Sequence, residues 1–311
     1  MLSRIAESLF WIGRYVERAD DTARILDVHL QLLSEEPWAE EPAACRSLLA
    51  IMDHPAAPED GPVGRETVLR LLAHDRTNPS AIAGALVAAR ENARRAREIV
   101  STDVWEALNT TRHRVVTVGL NRRPHEFFAW VRERAAVVSG LMESATPHDA
   151  TWHFMVLGQS IERADMTARL LTTQARLGAA GPGWTSVLRS CGAHEAYLRA
   201  HRGRTTDDDA AAFLVLDRLF PRSIVYALRS AEVALRALEP VEHRREVSDE
   251  AVRELGVVRS RLEYRRRDET LDDLPAVMEQ VQHACARASE AIRDRYFPSP
   301  TTAAAWVGEA L

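Results

Sequence analysis

The chain has 311 residues, and all 40 of its basic side chains other than histidine are arginine, so lysine is absent. Without lysine, the chain cannot form a Schiff base or supply the phosphate-binding lysine of a P-loop or a protein kinase. Its 45 acidic residues give a net charge of −5, which argues against a nucleic-acid-binding protein. The abundance of alanine and arginine is typical of a GC-rich bacterial genome.

The N-terminal segment lacks the apolar core of a signal peptide, because Arg4 and Glu7 interrupt its apolar residues. No apolar run approaches the roughly 18 residues of a membrane span. We therefore expect a cytoplasmic protein with no membrane contact. Cys45, Cys191 and Cys285 are widely separated, so we expect buried thiols and neither a zinc site nor a disulfide framework.

Apolar residues recur at helical spacing along almost the whole chain, which predicts an all-α fold. The first segment places them at steps of three and four, as a heptad-like seam formed by Ile5, Leu9, Ile12, Val16, Ala19, Ala23, Leu26, Leu30 and Leu33. Such a helix packs lengthwise against its neighbours. Breaks between helices are predicted near residues 35–44, 53–64, 120–125, 177–184 and 238–246.

The same seam returns 145 positions later, from Phe154 to Ala175, and the amino-acid sequence around it is repeated as well. GRYVERADDTARIL (13–26) resembles GQSIERADMTARLL (158–171), and HDRTNPSAI (74–82) resembles LDRLFPRSI (216–224). Two matches in the same order predict a helical bundle built from two homologous halves by internal duplication. We assign residues 1–146 to the first half and 147–297 to the second half packed with it as one unit. Residues 298–311, which contain two prolines, are expected to be a flexible C-terminal tail.

Four residues of each motif helix form one stripe beside the seam, because they follow one another at steps of four, three and four. The stripes are Gly13, Glu17, Asp20 and Arg24, and Gly158, Glu162, Asp165 and Arg169. Glycine is unfavourable inside a helix, so its position predicts the close passage of a backbone or a ligand. Arg18 and Arg163 point about a quarter turn away from the adjacent glutamates, so the Glu and the Arg of one helix should contact different neighbours.

Three interpretations of these stripes remain open at this point. The charged residues are ion pairs that tie helices together, or a polar site that binds an amino-acid, peptide or phosphate group through arginine forks. The third interpretation is a carboxylate metal site built from Glu17, Asp20, Glu162 and Asp165. It lacks the histidine of the Glu-x-x-His pairs in di-metal bundles, and the arginines would repel a cation, so we expect no metal.

The second repeated motif contains Asp75 and Arg76 in the first half and Asp217 and Arg218 in the second. Its proline is predicted to open a helix, and the preceding aspartate is predicted to cap it. An anion site at this helix N-terminus, formed by Arg222 and Ser223, is the alternative. The sequence contains no nucleophile elbow, H-E-x-x-H, Walker or dinucleotide-binding motif.

The two E-R helices, together with ARENARRAREIVSTDVWEALN (89–109) and FLVLDRLFPRSI (213–224), resemble the Alpha-E family. These are bacterial all-helical proteins named for their Glu-Arg motif, and the resemblance extends from residue 1 to about 297. It implies two partners, a circularly permuted ATP-grasp protein and a transglutaminase-like protease, in a system that makes, attaches or removes a peptide or amide modification. ATP and Mg²⁺ would then be bound by the partner, and we expect no cofactor in this chain.

The resemblance and the residues together support three hypotheses. In the first, the chain is an accessory protein of an ATP-grasp amide ligase and supplies a docking surface or part of a substrate pocket. In the second, it is a stand-alone enzyme for an amide or amino-acid substrate, with Glu17 and Glu162 as candidate acids or bases. In the third, it is a scaffold without a ligand site. All three hypotheses allow the chain to form an oligomer. The candidate substrate-binding residues are Arg18, Asp20, Arg24, Asp75, Arg76, Arg163, Asp165, Arg169, Asp217, Arg218 and Arg222.

Overall fold

The computed structural model describes residues 1–35, 41–54, 63–121, 123–178, 181–202, 206–239, 249–266 and 273–298. Within these ranges the chain is helical and contains no β-strand. The helices are α1 (Ser3–Glu35), α2 (Glu41–Ile51), α3 (Arg65–Val68), α4 (Ile82–Arg95), α5 (Thr102–Asn121), α6 (Pro124–Ser144), α7 (Ala150–Leu177), α8 (Trp184–Ser190), α9 (His194–Ala200), α10 (Asp207–Leu216), α11 (Ile224–Leu238), α12 (Glu250–Glu263) and α13 (Leu274–Tyr296). A π-helical stretch, Leu69–His74, continues α3. None of these helices is both long enough and apolar enough to cross a bilayer.

The two longest helices, α1 and α7, pack against each other at the centre of the fold. Their predicted seams supply the core: every seam residue of α1 except the half-buried Leu30 is buried, as is every seam residue of α7 except Ala175. Burial of apolar area is the main stabilising contribution to such packing, at about 25 cal/mol per Å². The predicted lengthwise packing of the motif helices is therefore confirmed.

Glycine lets the α1 and α7 backbones touch where the helices cross. A Cβ atom on Gly13 would lie 2.0 Å from the Met155 carbonyl oxygen, and a Cβ on Gly158 would lie 2.0 Å from the Phe10 carbonyl oxygen. Any side chain would clash at that distance, so glycine is required by close packing rather than by backbone conformation. The predicted close passage is confirmed, and the neighbour is the backbone of the other motif helix.

The helices around α1 and α7 follow the same order in the two parts of the chain. Helices α4 and α6 pack on α1, with α5 contacting both of them. Helices α11 and α13 pack on α7, with α12 contacting both of them. This arrangement agrees with the predicted repeat, while the duplication itself and the boundary near residue 146, in the connection between α6 and α7, stay predictions.

The turns before α4 and α11 differ from the prediction. Pro79 and Pro221 lie three residues before helices that begin at Ile82 and Ile224, so the prediction that these prolines open helices was wrong. The Asp217 side chain accepts hydrogen bonds from the backbone N–H groups of Leu219 and Phe220 at 2.8 and 2.7 Å. Because this aspartate stabilises a turn of its own, it does not cap α11.

Ser223 provides the cap of α11 instead. Its hydroxyl oxygen accepts a hydrogen bond from the backbone N–H of Tyr226 at 3.2 Å. The three cysteines are buried and unpaired, as predicted, and burial raises the pKa of Cys191 to about 12. A thiol with such a pKa stays protonated and unreactive at neutral pH. The predicted C-terminal tail, apart from its first residue, lies outside the described residues.

Candidate functional site

The two Glu-Arg motifs exchange partners across the crossing of α1 and α7. Glu17 of α1 accepts two hydrogen bonds from Arg163 of α7, Nε–Oε1 at 2.6 Å and Nη2–Oε2 at 2.9 Å. Glu162 of α7 accepts the matching pair from Arg18 of α1, Nε–Oε1 at 2.5 Å and Nη2–Oε2 at 3.0 Å. The Glu and the Arg of each motif therefore find their bidentate partners on the same neighbouring helix, not on different neighbours as expected from the sequence. Each pair joins the glutamate of one stripe to the arginine that follows the glutamate of the other motif.

Both glutamates are ionised although their side chains are only 2% exposed. Burial by itself would raise the pKa of Glu162, but the charges of Arg18 and Arg14 outweigh it and lower that pKa to about 2. The pKa of Glu17 is lowered too, because Arg163 and Arg222 outweigh the effect of its burial. Removal of one partner from a buried pair leaves an uncompensated charge and typically costs about 3–5 kcal/mol.

Arg222 adds a second cation beside Glu17. Its Nη2 donates to Glu17 at 2.9 Å and also to Asp20, and its Nε donates to Asp21 at 3.2 Å. We call the group formed by Glu17, Asp20, Asp21, Arg163 and Arg222 the Glu17 cluster. The sequence suggested that Arg222 could hold an external anion, whereas the structure directs its guanidinium at three carboxylates of α1.

Asp21 takes up a proton more readily than an ordinary aspartate. Burial first, and then the negative charge of Glu17, raise its pKa to about 8, although Arg222 acts in the opposite direction. One oxygen of the neighbouring Asp20, Oδ1, is buried without a hydrogen-bond partner in the described structure. Three acidic groups thus share two arginines from other elements, and the repulsion among them favours the protonated form of Asp21.

The second group, which we call the Glu162 cluster, consists of Glu162, Asp165, Arg14, Arg18 and Arg169. Arg14 donates through Nε to Glu162 at 2.6 Å and through Nη1 to Ser289 of α13 at 3.0 Å. Arg169 donates to Asp165, one turn before it on α7, at 2.9 Å. This cluster borders an open cavity of about 320 Å³ between α7 and α13.

The metal interpretation can be tested on the donor atoms. One ligand atom from each of Glu17, Asp20 and Asp21 lies within 4.8 Å of the others, so the described chain contains one group that could hold a cation. It differs from the set considered from the sequence, because Asp21 belongs to it whereas Glu162 and Asp165 do not. All three carboxylates already bond to Arg222. These donors therefore fit a guanidinium better than a metal ion.

The other candidate residues lie around or outside these clusters. Arg24 donates to Asp20 at 3.1 Å along its own helix. Asp75, Arg76, Asp217 and Arg218 lie in the turns before α4 and α11, and Arg218 shares a cavity with Arg163.

Sequence reasoning missed three contributors: Arg14, Asp21 and Gln159. Gln159 stands 145 positions after Arg14 and donates to Glu17 at 2.9 Å, as Arg14 does to Glu162. All three stand at positions where the two motifs differ, so the differences between the motifs, and not only their shared residues, mark the contacts of the glutamates.

These features define a class of protein: an all-helical bundle whose two central helices cross at glycines and are joined by exchanged Glu–Arg pairs. The chain belongs to the Alpha-E family, described as a predicted alpha-helical domain with a conserved ER motif, and the match spans residues 1–297.

Two uncharacterized mycobacterial proteins are similar to this chain. They are Mb2597 of Mycobacterium bovis (strain ATCC BAA-935 / AF2122/97) and MT2643 of Mycobacterium tuberculosis (strain CDC 1551 / Oshkosh). Each is 26% identical over 268 residues, which cover 76% of this chain and 30% of the relative. The chain thus matches less than a third of the length of these relatives. No solved structure matches it.

Proposed function

We propose that the chain is an accessory protein of an ATP-grasp amide or peptide ligase system, in which it supplies a docking surface or part of a substrate pocket. The carrying observation is that both motif glutamates are buried and occupied by arginines. A general base needs a free lone pair that faces the substrate. Glu17 and Glu162 lack this, so the motif serves to hold α1 and α7 in register.

The composition and the relatives support a role alongside other proteins or domains. The chain has no lysine for nucleotide phosphates, so ATP and Mg²⁺ would be bound by the ligase. The mycobacterial relatives contain the matching segment as 30% of a longer polypeptide. A domain that occurs within longer chains is suited to work next to other active sites. A transglutaminase-like protease is the second partner that this proposal includes.

The stand-alone enzyme and the pure scaffold are the competing proposals. Acid or base chemistry at Glu17 would require Arg163, Arg222 and Gln159 to release its carboxylate, which is a large rearrangement of a buried cluster. A scaffold would have no need for arginine-lined cavities, yet such cavities border both central helices in the described chain. The roles of Asp20, Asp165 and the other candidate substrate-binding residues stay proposals.

We also infer that the two halves arose by duplication. The shared motif text, the reciprocal contacts of Gly13 and Gly158, and the matching order of the surrounding helices support this origin. Duplication would explain why a Glu-Arg motif occurs on each central helix and why each copy completes the other.

Co-purification tests the proposed function. The tagged chain is expressed together with the genes that neighbour its own, and the retained proteins are identified with and without ATP and cross-linking. We expect an ATP-grasp protein to be retained and the ligase activity of the complex to depend on this chain. Failure to retain such a protein under every condition, or full ligase activity without this chain, would overturn the proposal.

A further inference from the structure

A second cavity lies beside the Glu17 cluster, between α7 and α11 near the end of α6. It has a volume of about 460 Å³, within the range of small-molecule sites. Its lining combines positive charge with planar and apolar side chains, and it includes Trp152, Ser160, Arg163, Arg218, Arg229 and Val233. Arg163 also belongs to the Glu17 cluster, and the other five residues belong to neither cluster.

The cavity is positively charged, and part of that charge is free. Arg163 uses Nε and Nη2 for Glu17, which leaves its Nη1 for another partner. Arg229 is exposed and makes no hydrogen bond or ion pair with the described residues. Arg218 has only a long contact, 3.9 Å, to Glu263. The acidic residue of the lining, Glu143, already accepts a hydrogen bond from the Trp152 ring at 3.2 Å.

Apolar side chains line the same cavity as these arginines. They include Val156, Ala234 and Val233, and Val233 is 55% exposed in the described chain. The rings of Trp152 and Tyr226 also contribute to the lining. Arginine forks beside apolar and aromatic surface suit a ligand that joins an oxyanion to a planar or apolar body.

The corresponding surface of α1 shows that packing does not require such a cavity. Position 15 of α1, which corresponds to Ser160, is a tyrosine whose ring lies 5.5 Å from the Arg18 guanidinium and stacks on Trp11. The large side chain covers Arg18 there, whereas the small Ser160 leaves room beside Arg163. The residue 142 positions before Arg229 is Val87, so the first half has no counterpart of this arginine.

We propose that the α7–α11 cavity binds a small carboxylate with an apolar or aromatic body, such as an N-acyl amino acid or the C-terminus of a short peptide. Arg229 and the free Nη1 of Arg163 receive the carboxylate, and Val233 and its neighbours receive the body. A carboxylate is the group that an amide ligase must activate, so in this respect the inference rests on the proposed function and names its substrate class. Binding itself requires only this chain.

The first test uses three probes that share one aromatic ring: hippurate, its neutral amide hippuramide, and phenyl phosphate. Binding to the full chain is measured by ligand-observed NMR titration at low ionic strength, where charge contacts are least screened. We expect hippurate to bind with a Kd of about 1 mM and hippuramide at least about tenfold more weakly. Equal binding of both, or no hippurate binding up to about 10 mM, would overturn the proposal. If phenyl phosphate bound more tightly than hippurate, the carboxylate assignment would be overturned and a phosphate ligand favoured.

The second test places the site. Arg229→Glu should weaken hippurate binding at least about tenfold, and the variant should fold normally because Arg229 is exposed and has no partner in the described structure. The matched control is Arg114→Glu, the same change at an exposed arginine of α5 without a described partner, which should leave binding within about twofold. Val233→Trp should block the cavity without removing charge. Equal losses in Arg229→Glu and Arg114→Glu, or no loss in Arg229→Glu, would overturn the assignment. Neither outcome affects the co-purification test, so the two proposals can fail separately.

Discussion

The Glu17 and Glu162 clusters occupy matching places on α1 and α7, yet they balance charge differently. Each centres on a buried glutamate in a bidentate pair with the arginine of the other helix. Next to Glu17 stands Asp21, whereas Met166 stands at the position 145 residues later. The Glu17 cluster therefore contains a further cation, Arg222, and an aspartate, Asp21, whose pKa is raised by burial and by the charge of Glu17. The Glu162 cluster has two acids for three arginines, whereas the Glu17 cluster has three acids for three arginines once Arg24, the counterpart of Arg169, is counted with it. Burial raises the pKa of Asp165 as well, although Arg169 opposes it. The comparison shows that the exchanged pair is the shared element, and that the residues around it differ between the two helices.

The largest expected effect concerns the glycines at the helix crossing. Gly13→Ala and Gly158→Ala each place a Cβ 2.0 Å from a carbonyl oxygen of the other helix, so the helices must separate and weaken both clusters. We expect each variant to lose about 3 kcal/mol or more of unfolding free energy, measured by urea denaturation.

Gly140→Ala is the matched control for these variants. It lies in helix α6, and a Cβ there would meet nothing within 4 Å. Alanine should therefore stabilise the chain, by about 0.5–1 kcal/mol, because it favours the helix. If Gly13→Ala behaved like Gly140→Ala, the close backbone crossing would be wrong.

The next effect should separate the two glutamates. Glu162→Gln leaves Arg14 and Arg18 without a counter-charge, so we expect a loss of about 3 kcal/mol at pH 7. Glu17→Gln should cost about half as much. Arg222 still pairs with Asp20 and Asp21 in this variant, and the repulsion among the carboxylates of the Glu17 cluster falls. Urea denaturation of both variants checks the order. Equal losses would mean that the extra carboxylates near Glu17 do not affect stability.

A smaller effect should depend on pH. The folded pKa of Asp21, about 8, exceeds its unfolded value of about 4, so folding favours the protonated form. Its contribution to stability is therefore complete below about pH 4 and is lost as the pH rises towards 8. Asp21→Asn removes the ionisation and retains a side-chain oxygen for Arg222.

Thermal unfolding from pH 5 to pH 9 measures this difference. We expect the stability of Asp21→Asn relative to the parent chain to rise steadily from pH 5 to about pH 8 and to level off above it. A constant difference across this range would show that Asp21 does not take up a proton on folding. Substitutions of Met166 have no titration to remove, so they should produce no such slope.

The smallest effect concerns the turns before α4 and α11. Asp75 and Asp217 each accept two or more hydrogen bonds from backbone N–H groups within their own turn. Asp75→Ala and Asp217→Ala should each cost about 1 kcal/mol in urea denaturation, because each leaves similar backbone groups unbonded. A much larger loss in one variant would show that its aspartate has a further role, and would break the similarity between the turns.

The sequence by itself determined the all-α class, the two long motif helices and the presence of glycine at a close contact. Apolar spacing and helix-breaking residues are local properties, so the buried seam from Ile5 to Leu33 could be predicted from the text alone. The Glu-Arg pairs could be predicted only as contacts between helices, since the quarter-turn separation suggested different neighbours whereas both partners of one motif lie on the other motif helix. Which neighbours these are depends on how the helices cross.

Only the tertiary structure decided how those local patterns combine. It brought Glu17 to Arg163 and Arg18 to Glu162, and it brought Arg222 from a turn more than 200 residues away to Asp20 and Asp21. It also moved the starts of α4 and α11 beyond Pro79 and Pro221 and opened the cavity beside Arg163. Burial explains why these outcomes are not written in the local sequence. Whether a carboxylate is ionised, protonated or paired depends on the desolvation and the distant charges that only the packed chain brings together.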